Sequence, residues 1–177
     1  EGIEIVNLRH DREMPRREKY ARILADKCRR DGYTFEEAND KMFERNYFGM
    51  MMVETGEADA FITGVYTKFS NTVKVAKEVI GIREPYKHFG SVHILNSKRG
   101  TYYIADTLIN RSPDKEALKD IARLTANTIK FFNDEPKIAM ISYSNFGVDK
   151  EGSPRLMRDV VAEMQAECPD LKIDGEM

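Results

Sequence analysis

Two stretches of the chain carry side chains able to grip an anion. Residues 142–147 read Ser-Tyr-Ser-Asn-Phe-Gly and follow directly on the apolar run Ile-Ala-Met-Ile at 138–141. Hydroxyls, a side-chain amide and free backbone N–H groups can all hold phosphate oxygens. An apolar run, a hydroxyl-rich loop and then a helix is how an open α/β sheet presents a ligand loop beyond the carboxyl end of a strand. A polar crossover loop without a ligand has the same spacing. The second stretch repeats the layout. Asp59 to Gly64 reads as a short buried strand. A polar loop with Thr67, Lys68, Ser70 and Asn71 follows, then a helix through Val73, Ala76, Val79 and Ile80. Lys68 and Lys74 bring positive charge, although an exposed lysine needs no ligand to explain it. Thr63, Gly64, Ser70, Lys74, Ser142, Ser144, Asn145 and Gly147 are therefore the candidate binding residues.

Other reactive residue types form no constellation. His10, His88 and His93 fall in different predicted elements, and no HExxH, HxH or Cys/His cluster occurs. No metal site is expected. Neither a GxSxG elbow nor a P-loop is present. Cys28 and Cys168 have no CxxC partner and read as free thiols of a reducing cytoplasm. Asp106, Asp174 and Glu176 follow apolar runs, where catalytic carboxylates often sit, but caps and turns use the same positions.

The elements that must position these loops can be read from periodicity. Ile3, Ile5 and Leu8 suggest a first strand. Residues 15–30 carry an apolar stripe of Tyr20, Ile23, Leu24 and Cys28, a helix that Gly32 would stop. Its many arginines and lysines alternate with acids and read as a solvated face. Thr34 to Glu37 is a capping box that starts a helix at Phe35 and carries it to about Glu44. Residues 45–54 are apolar all round and read as a buried helix. Ser70 or Asn71 should cap the helix that follows. Residues 91–95 and 101–105 flank the turn Ser97-Lys98-Arg99-Gly100 and read as an antiparallel hairpin. Ser112 and Pro113 suit the N-cap and first turn of a long helix. A further helix from Ser153-Pro154 and a last strand at 171–173 complete the pattern.

With 177 residues, 41% of them hydrophobic and 33% charged, the chain has the make-up of one globular domain or two small lobes. Its net charge of -2 exerts no general pull on nucleic acid or anionic membrane. No apolar run approaches a membrane span, and no signal peptide is read at the start. Alternating strands and helices predict a three-layer α/β/α fold with a mostly parallel sheet and one hairpin. The lobes are expected at 1–85 and 86–177. The start at Glu1-Gly2-Ile3 and the finish at Met177 read as cuts through a larger protein.

Several segments together resemble the phosphate acetyltransferases: Asn46-Tyr47-Phe48-Gly49-Met50-Met51-Met52-Val53, Gly56-x-Ala58-Asp59-Ala60 with Thr63-Gly64, Ala105-Asp106, Ala139-Met140-Ile141-Ser142-Tyr143-Ser144-x-x-Gly147, and Pro169-Asp170-Leu171-x-Ile173-Asp174-Gly175-Glu176. They keep the family's order along nearly the whole chain. More narrowly, Asn145-Phe146 after Ser-Tyr-Ser, and Met177 after Asp-Gly-Glu, resemble the phosphotransacetylase-like C-terminal domain of bacterial NADP-dependent malic enzymes. The family pattern has Thr-Lys where Asn145-Phe146 stand, so a cation is replaced by an apolar ring. One family arginine aligns with Cys28 and another with Lys74, which keeps charge but loses the bidentate fork.

The resemblance implies a phosphotransacetylase-like fold akin to the isocitrate and isopropylmalate dehydrogenases. It implies a regulatory and oligomerisation module, with acetyl-CoA as allosteric effector held between the lobes or at a dimer interface. The parent would convert malate to pyruvate and carbon dioxide, using NADP and Mg or Mn elsewhere. No cofactor is expected in this segment. The family's catalytic serine and aspartate belong to a later segment, so no catalytic residue is assigned here. The expected partners are a CoA-like ligand and further copies of the chain in a cytoplasmic homo-oligomer. The alternatives are a working phosphate acetyltransferase making acetyl-CoA from acetyl phosphate and CoA, and an assembly domain with no ligand.

Overall fold

Apolar residues at three- and four-residue spacing dominate the first half of the chain, and helices are what form there. The computed structural model describes residues 2–177. It divides into two units, one ending at Gly81 and the other running from Ile82 to Met177.

The first unit is helical. A 3-10 turn at Asp11–Glu13 leads into α1 (Met14–Lys27), and a second turn at Arg29–Asp31 ends on Gly32 at φ 83°. The helix thus stops before Arg30, and Gly32 closes the turn that follows it. Helix α2 (Phe35–Lys41) starts at the expected capping box. The Thr34 hydroxyl accepts from the Glu37 N–H and the Glu37 carboxylate accepts from the Thr34 N–H. It ends earlier than predicted, at Lys41. Helix α3 (Arg45–Glu54) buries Asn46, Tyr47, Phe48, Met50 and Met51, as its all-round apolar sequence requires. Helix α4 (Phe69–Val79) starts after Lys68, whose side chain makes no capping bond; Ser70 and Asn71 lie inside the helix instead of capping it. Tyr20, Leu24, Met42, Phe48, Met51 and Val79 form the core.

Neither strand expected in this unit forms. Residues 2–7 and 60–64 are irregular, and none of the described strands belongs to this unit. An extended segment needs a partner for its N–H and C=O groups. Here the Arg12 and Arg17 guanidinium groups take the carbonyls of Ile5 and Leu8. Ile3 and Ile5 are exposed.

The second unit holds all the described strands. β1 (Val92–Ser97) and β2 (Gly100–Ala105) form the predicted antiparallel hairpin, with Val92 opposite Ala105. Helix α5 (Lys115–Phe131) follows. Its cap is Asp114, whose carboxylate accepts from the Ala117 N–H, so Ser112 and Pro113 precede the helix. β3 (Lys137–Met140), α6 (Gly152–Glu167) and β4 (Lys172–Gly175) form a β-α-β unit with β3 and β4 parallel and Ile138 opposite Ile173. Leu118, Met140, Val160, Met164 and Ile173 pack at its centre. The fold is therefore mixed α/β. The broad parallel sheet expected from the sequence is present, among the described residues, as the single β3–β4 pair.

Candidate functional site

In the second unit, β3 delivers the chain into the loop at 142–147 and α6 carries it away. The loop is pinned from within. The Ser142 hydroxyl accepts from the Ser144 N–H at 3.1 Å, and the Ser144 hydroxyl accepts from the Asp149 N–H at 3.2 Å. The Val148 N–H donates to the Asn145 carbonyl. Gly147, at φ 75°, donates its N–H to the Glu176 carboxylate at 2.6 Å. Glu176 is 1% exposed, and its second oxygen is buried without a hydrogen bond. The Arg158 guanidinium, on α6, stands 3.6 Å from that oxygen and also donates to the Asp149 carbonyl. The Tyr143 hydroxyl donates to Asp149, and both shift accordingly. Hydrogen bonds from the Glu151 N–H and from Tyr143 hold Asp149 below the usual carboxylate range, and Asp149 raises Tyr143. The outer surface is left to Tyr143, Phe146 and Val148, which are 74%, 67% and 74% exposed.

In the first unit, Thr63 belongs to a threonine cluster around Asn46. The Thr63 hydroxyl donates to the Asn46 carbonyl oxygen at 2.7 Å, and the Asn46 amide donates to Thr67 and Thr72, each at 3.3 Å. Asn46 is buried on α3, so it fixes the whole polar loop from below. Gly64 and Ser70 are exposed. Lys74 pairs with Glu78 one helical turn on, at 3.6 Å, while its side chain stays largely exposed. Glu78 in turn accepts from the Tyr33 and Tyr47 hydroxyls. Burial and then the Glu78 hydrogen bond push the Tyr33 phenol up to about 12, and Tyr47 moves the same way.

The eight candidate residues thus lie in two groups, each organised within its own unit. Hollows lie elsewhere. One of about 250 Å³ is lined by His88, Asn110, Arg111, Ser112 and Asp114; another, about 460 Å³, by Tyr33, Glu37, Asp40, Lys41 and Glu44. None of the eight lines either. Among the described residues no group of histidines, cysteines and acids is placed to hold a metal ion.

Asp106 is a loop organiser. Its carboxylate accepts from the Ser91 hydroxyl and N–H, from the Leu108, Ile109 and Asn110 N–H groups, and from the Asn110 amide. Burial alone would raise its pKa, but the Ser91 and Asn110 hydrogen bonds outweigh it and hold the group far below the usual range. The sequence pointed to Asn46 only as part of a motif, and to Glu176 as part of another motif and as a carboxylate after an apolar run. Arg158 carried no signal, because arginines on a helix face are ordinary.

A β-strand, a pinned hydroxyl loop and a helix in one unit, with a second hydroxyl cluster in the other, belong to a mixed α/β domain. The chain belongs to the family described as "Phosphate acetyl/butaryl transferase", which matches residues 1–177. It is 37% identical over 99% of its length to an NADP-dependent malic enzyme of Salmonella typhimurium, of which it covers 23%. It is 36% identical over 81% of its length to a phosphate acetyltransferase of Bacillus subtilis, covering 44% of that protein. Among solved structures it matches a phosphotransacetylase from Streptococcus pyogenes at TM-score 0.77 and 30% identity, over 98% of this chain and 50% of that one. The EutD phosphotransacetylase from Staphylococcus aureus matches at TM-score 0.75 and 26% identity, over 99% and 53%. The chain therefore spans about a quarter of the malic enzyme and half or less of the Bacillus subtilis acetyltransferase.

Proposed function

We propose that this chain is the phosphotransacetylase-like regulatory and assembly domain of an NADP-dependent malic enzyme, and that it binds acetyl-CoA as an effector. The observation that carries this is the loop at 142–147, where Asn145 and Phe146 stand in place of the Thr-Lys of the acetyltransferase pattern. A transferase stabilises the charge that develops on the acyl and phosphoryl oxygens with fixed cations and donors. In this loop an exposed phenyl ring occupies the cation's place. The 37% identity to a malic enzyme along 99% of this chain supports the same reading. Thr63, Gly64, Ser70 and Lys74 form one set of ligand contacts, and Ser142, Ser144, Asn145 and Gly147 the other. The chain assembles as a homo-oligomer. Malate, NADP and a divalent metal serve another part of the parent. Regulation requires acetyl-CoA to bind one state of that parent more tightly than another.

Calorimetric titration of Lys74→Ala and Ser144→Ala with acetyl-CoA tests the contacts. Each should weaken binding about three- to tenfold, the effect of one hydrogen bond or charge contact. An unchanged affinity in both would leave an assembly domain whose ligand loops are idle. The second reading, a phosphate acetyltransferase, is favoured by the comparable identity to the Bacillus subtilis enzyme. Formation of acetyl-CoA from acetyl phosphate and CoA by the intact protein would decide for it.

A further inference from the structure

We propose that the hollow beside His88 is a ligand site for a small hydroxy acid with a single negative charge, whose carboxylate pairs with Arg111 and whose hydroxyl donates to the free ring nitrogen of His88. The site lies wholly in the second unit and uses none of the acetyl-CoA contacts, so it stands apart from the effector reading.

The wall that carries His88 is fixed from behind. One oxygen of the Asp120 carboxylate accepts from the Lys87 N–H at 3.0 Å, from the His88 N–H at 3.1 Å and from His88 Nδ1 at 3.0 Å. Burial raises Asp120, but the hydrogen bonds from Lys87 and His88 outweigh it and hold the carboxyl below the usual range. An ionised carboxylate only accepts, so the ring hydrogen sits on Nδ1 and Nε2 keeps its lone pair. His88 lines the hollow, and among the described residues its Nε2 has no partner. The neighbouring wall is set as well. The Asn110 amide donates to the Phe89 carbonyl at 2.9 Å and to the Asp106 carboxylate at 2.7 Å, which ties residues 106–110 to the segment bearing His88. A site already in shape loses little freedom on binding.

The lining chooses the ligand. Arg111 forms no ion pair among the described residues, and its guanidinium can fork onto a carboxylate. Asp114, the other charge on the lining, already gives one oxygen to the Ala117 N–H. One cation and one anion leave no surplus positive charge, so a phosphate or a dicarboxylate gains less here than a monoacid does. A lone pair on Nε2 calls for a hydroxyl donor and not for a second oxyanion. Ile109, Pro113 and Ala117 offer apolar contact to the hydrocarbon part. The volume of about 250 Å³ equals roughly eight waters at ~30 Å³ each, enough for an acid of a few carbons and too little for a nucleotide.

The test titrates the whole chain, with nitrogen-15 in its three histidines, at pH 8 and follows the ring nitrogens. Before any ligand is added, His88 should carry its hydrogen on Nδ1; a hydrogen on Nε2 overturns the proposal. Lactate should bind saturably at roughly millimolar concentration and shift Nε2 of His88. Propionate, the same acid without the hydroxyl, should bind about three- to tenfold more weakly. Inorganic phosphate should also bind more weakly than lactate. The absence of a saturable lactate shift, or equal or tighter binding of either other probe, overturns the proposal. Arg111→Gln should weaken lactate binding at least about tenfold, and an unchanged affinity overturns the proposal too. His88→Asn keeps a donor for Asp120 and removes Nε2, so lactate and propionate should then bind alike; a preference that persists overturns the role of the ring. The wild-type titrations decide by themselves if a variant fails to fold.

Discussion

Asp106 shows how much one side chain can hold. Six donors converge on its carboxylate, from Ser91 on one side of the hairpin and residues 108–110 on the other. Removing it orphans several N–H groups at once, so Asp106→Ala should cost about 2–4 kcal/mol in a denaturant titration. The pH dependence follows from the depressed pKa in the folded state. The contribution is fully present above the unfolded value of about 3.9 and is lost progressively as pH falls below it. Wild type and Asp106→Ala should therefore converge in stability on acidification; a constant gap between pH 7 and 3 would contradict the role. Gly49 makes a second residue-scale case. A Cβ placed there would lie 2.2–2.8 Å from the Phe61 ring. Gly49→Ala should cost about 1–3 kcal/mol by overcrowding. The double variant with Phe61→Ala should be more stable than the sum of the two losses, which a thermodynamic cycle would show.

At the scale of elements, hydrogen-bonding termini decide boundaries that apolar periodicity leaves open. The capping box at Thr34 was legible because both partners lie within four residues. The start of α5 was not: Ser112-Pro113 and Asp114 all suit a helix N-terminus, and only the placement of the Asp114 carboxylate on the Ala117 N–H chooses between them. Asp114→Ala should accordingly lower stability by about 1 kcal/mol, whereas Ser112→Ala should change it by less than about 0.5. Equal effects on melting temperature would argue against this cap. The hairpin was readable from its turn. The strands expected at 3–8 and 59–64 were not decidable from their own residues, because a strand is defined by its neighbour. Local apolar runs cannot report whether that neighbour is there. The candidate loops were found by the polar residues that follow apolar runs. Their internal wiring to Asn46 and Glu176 joins positions 17 and 29 residues apart in sequence, beyond the reach of any spacing rule.

For the whole molecule, the family is secure and the role turns on what happens to acetyl-CoA. A transferase turns it over, an effector site holds it, and an idle assembly domain ignores it. Malic enzymes and phosphate acetyltransferases are both similar in sequence to this chain, so the fold does not separate these outcomes; the chemistry of the loops must. The central claim is that acetyl-CoA binds and remains intact. Calorimetric titration of the whole protein with acetyl-CoA, with the recovered ligand assayed after incubation with phosphate, tests this most directly. Saturable heat with the thioester unchanged is the predicted result. The absence of heat, or conversion to acetyl phosphate and CoA, would contradict it.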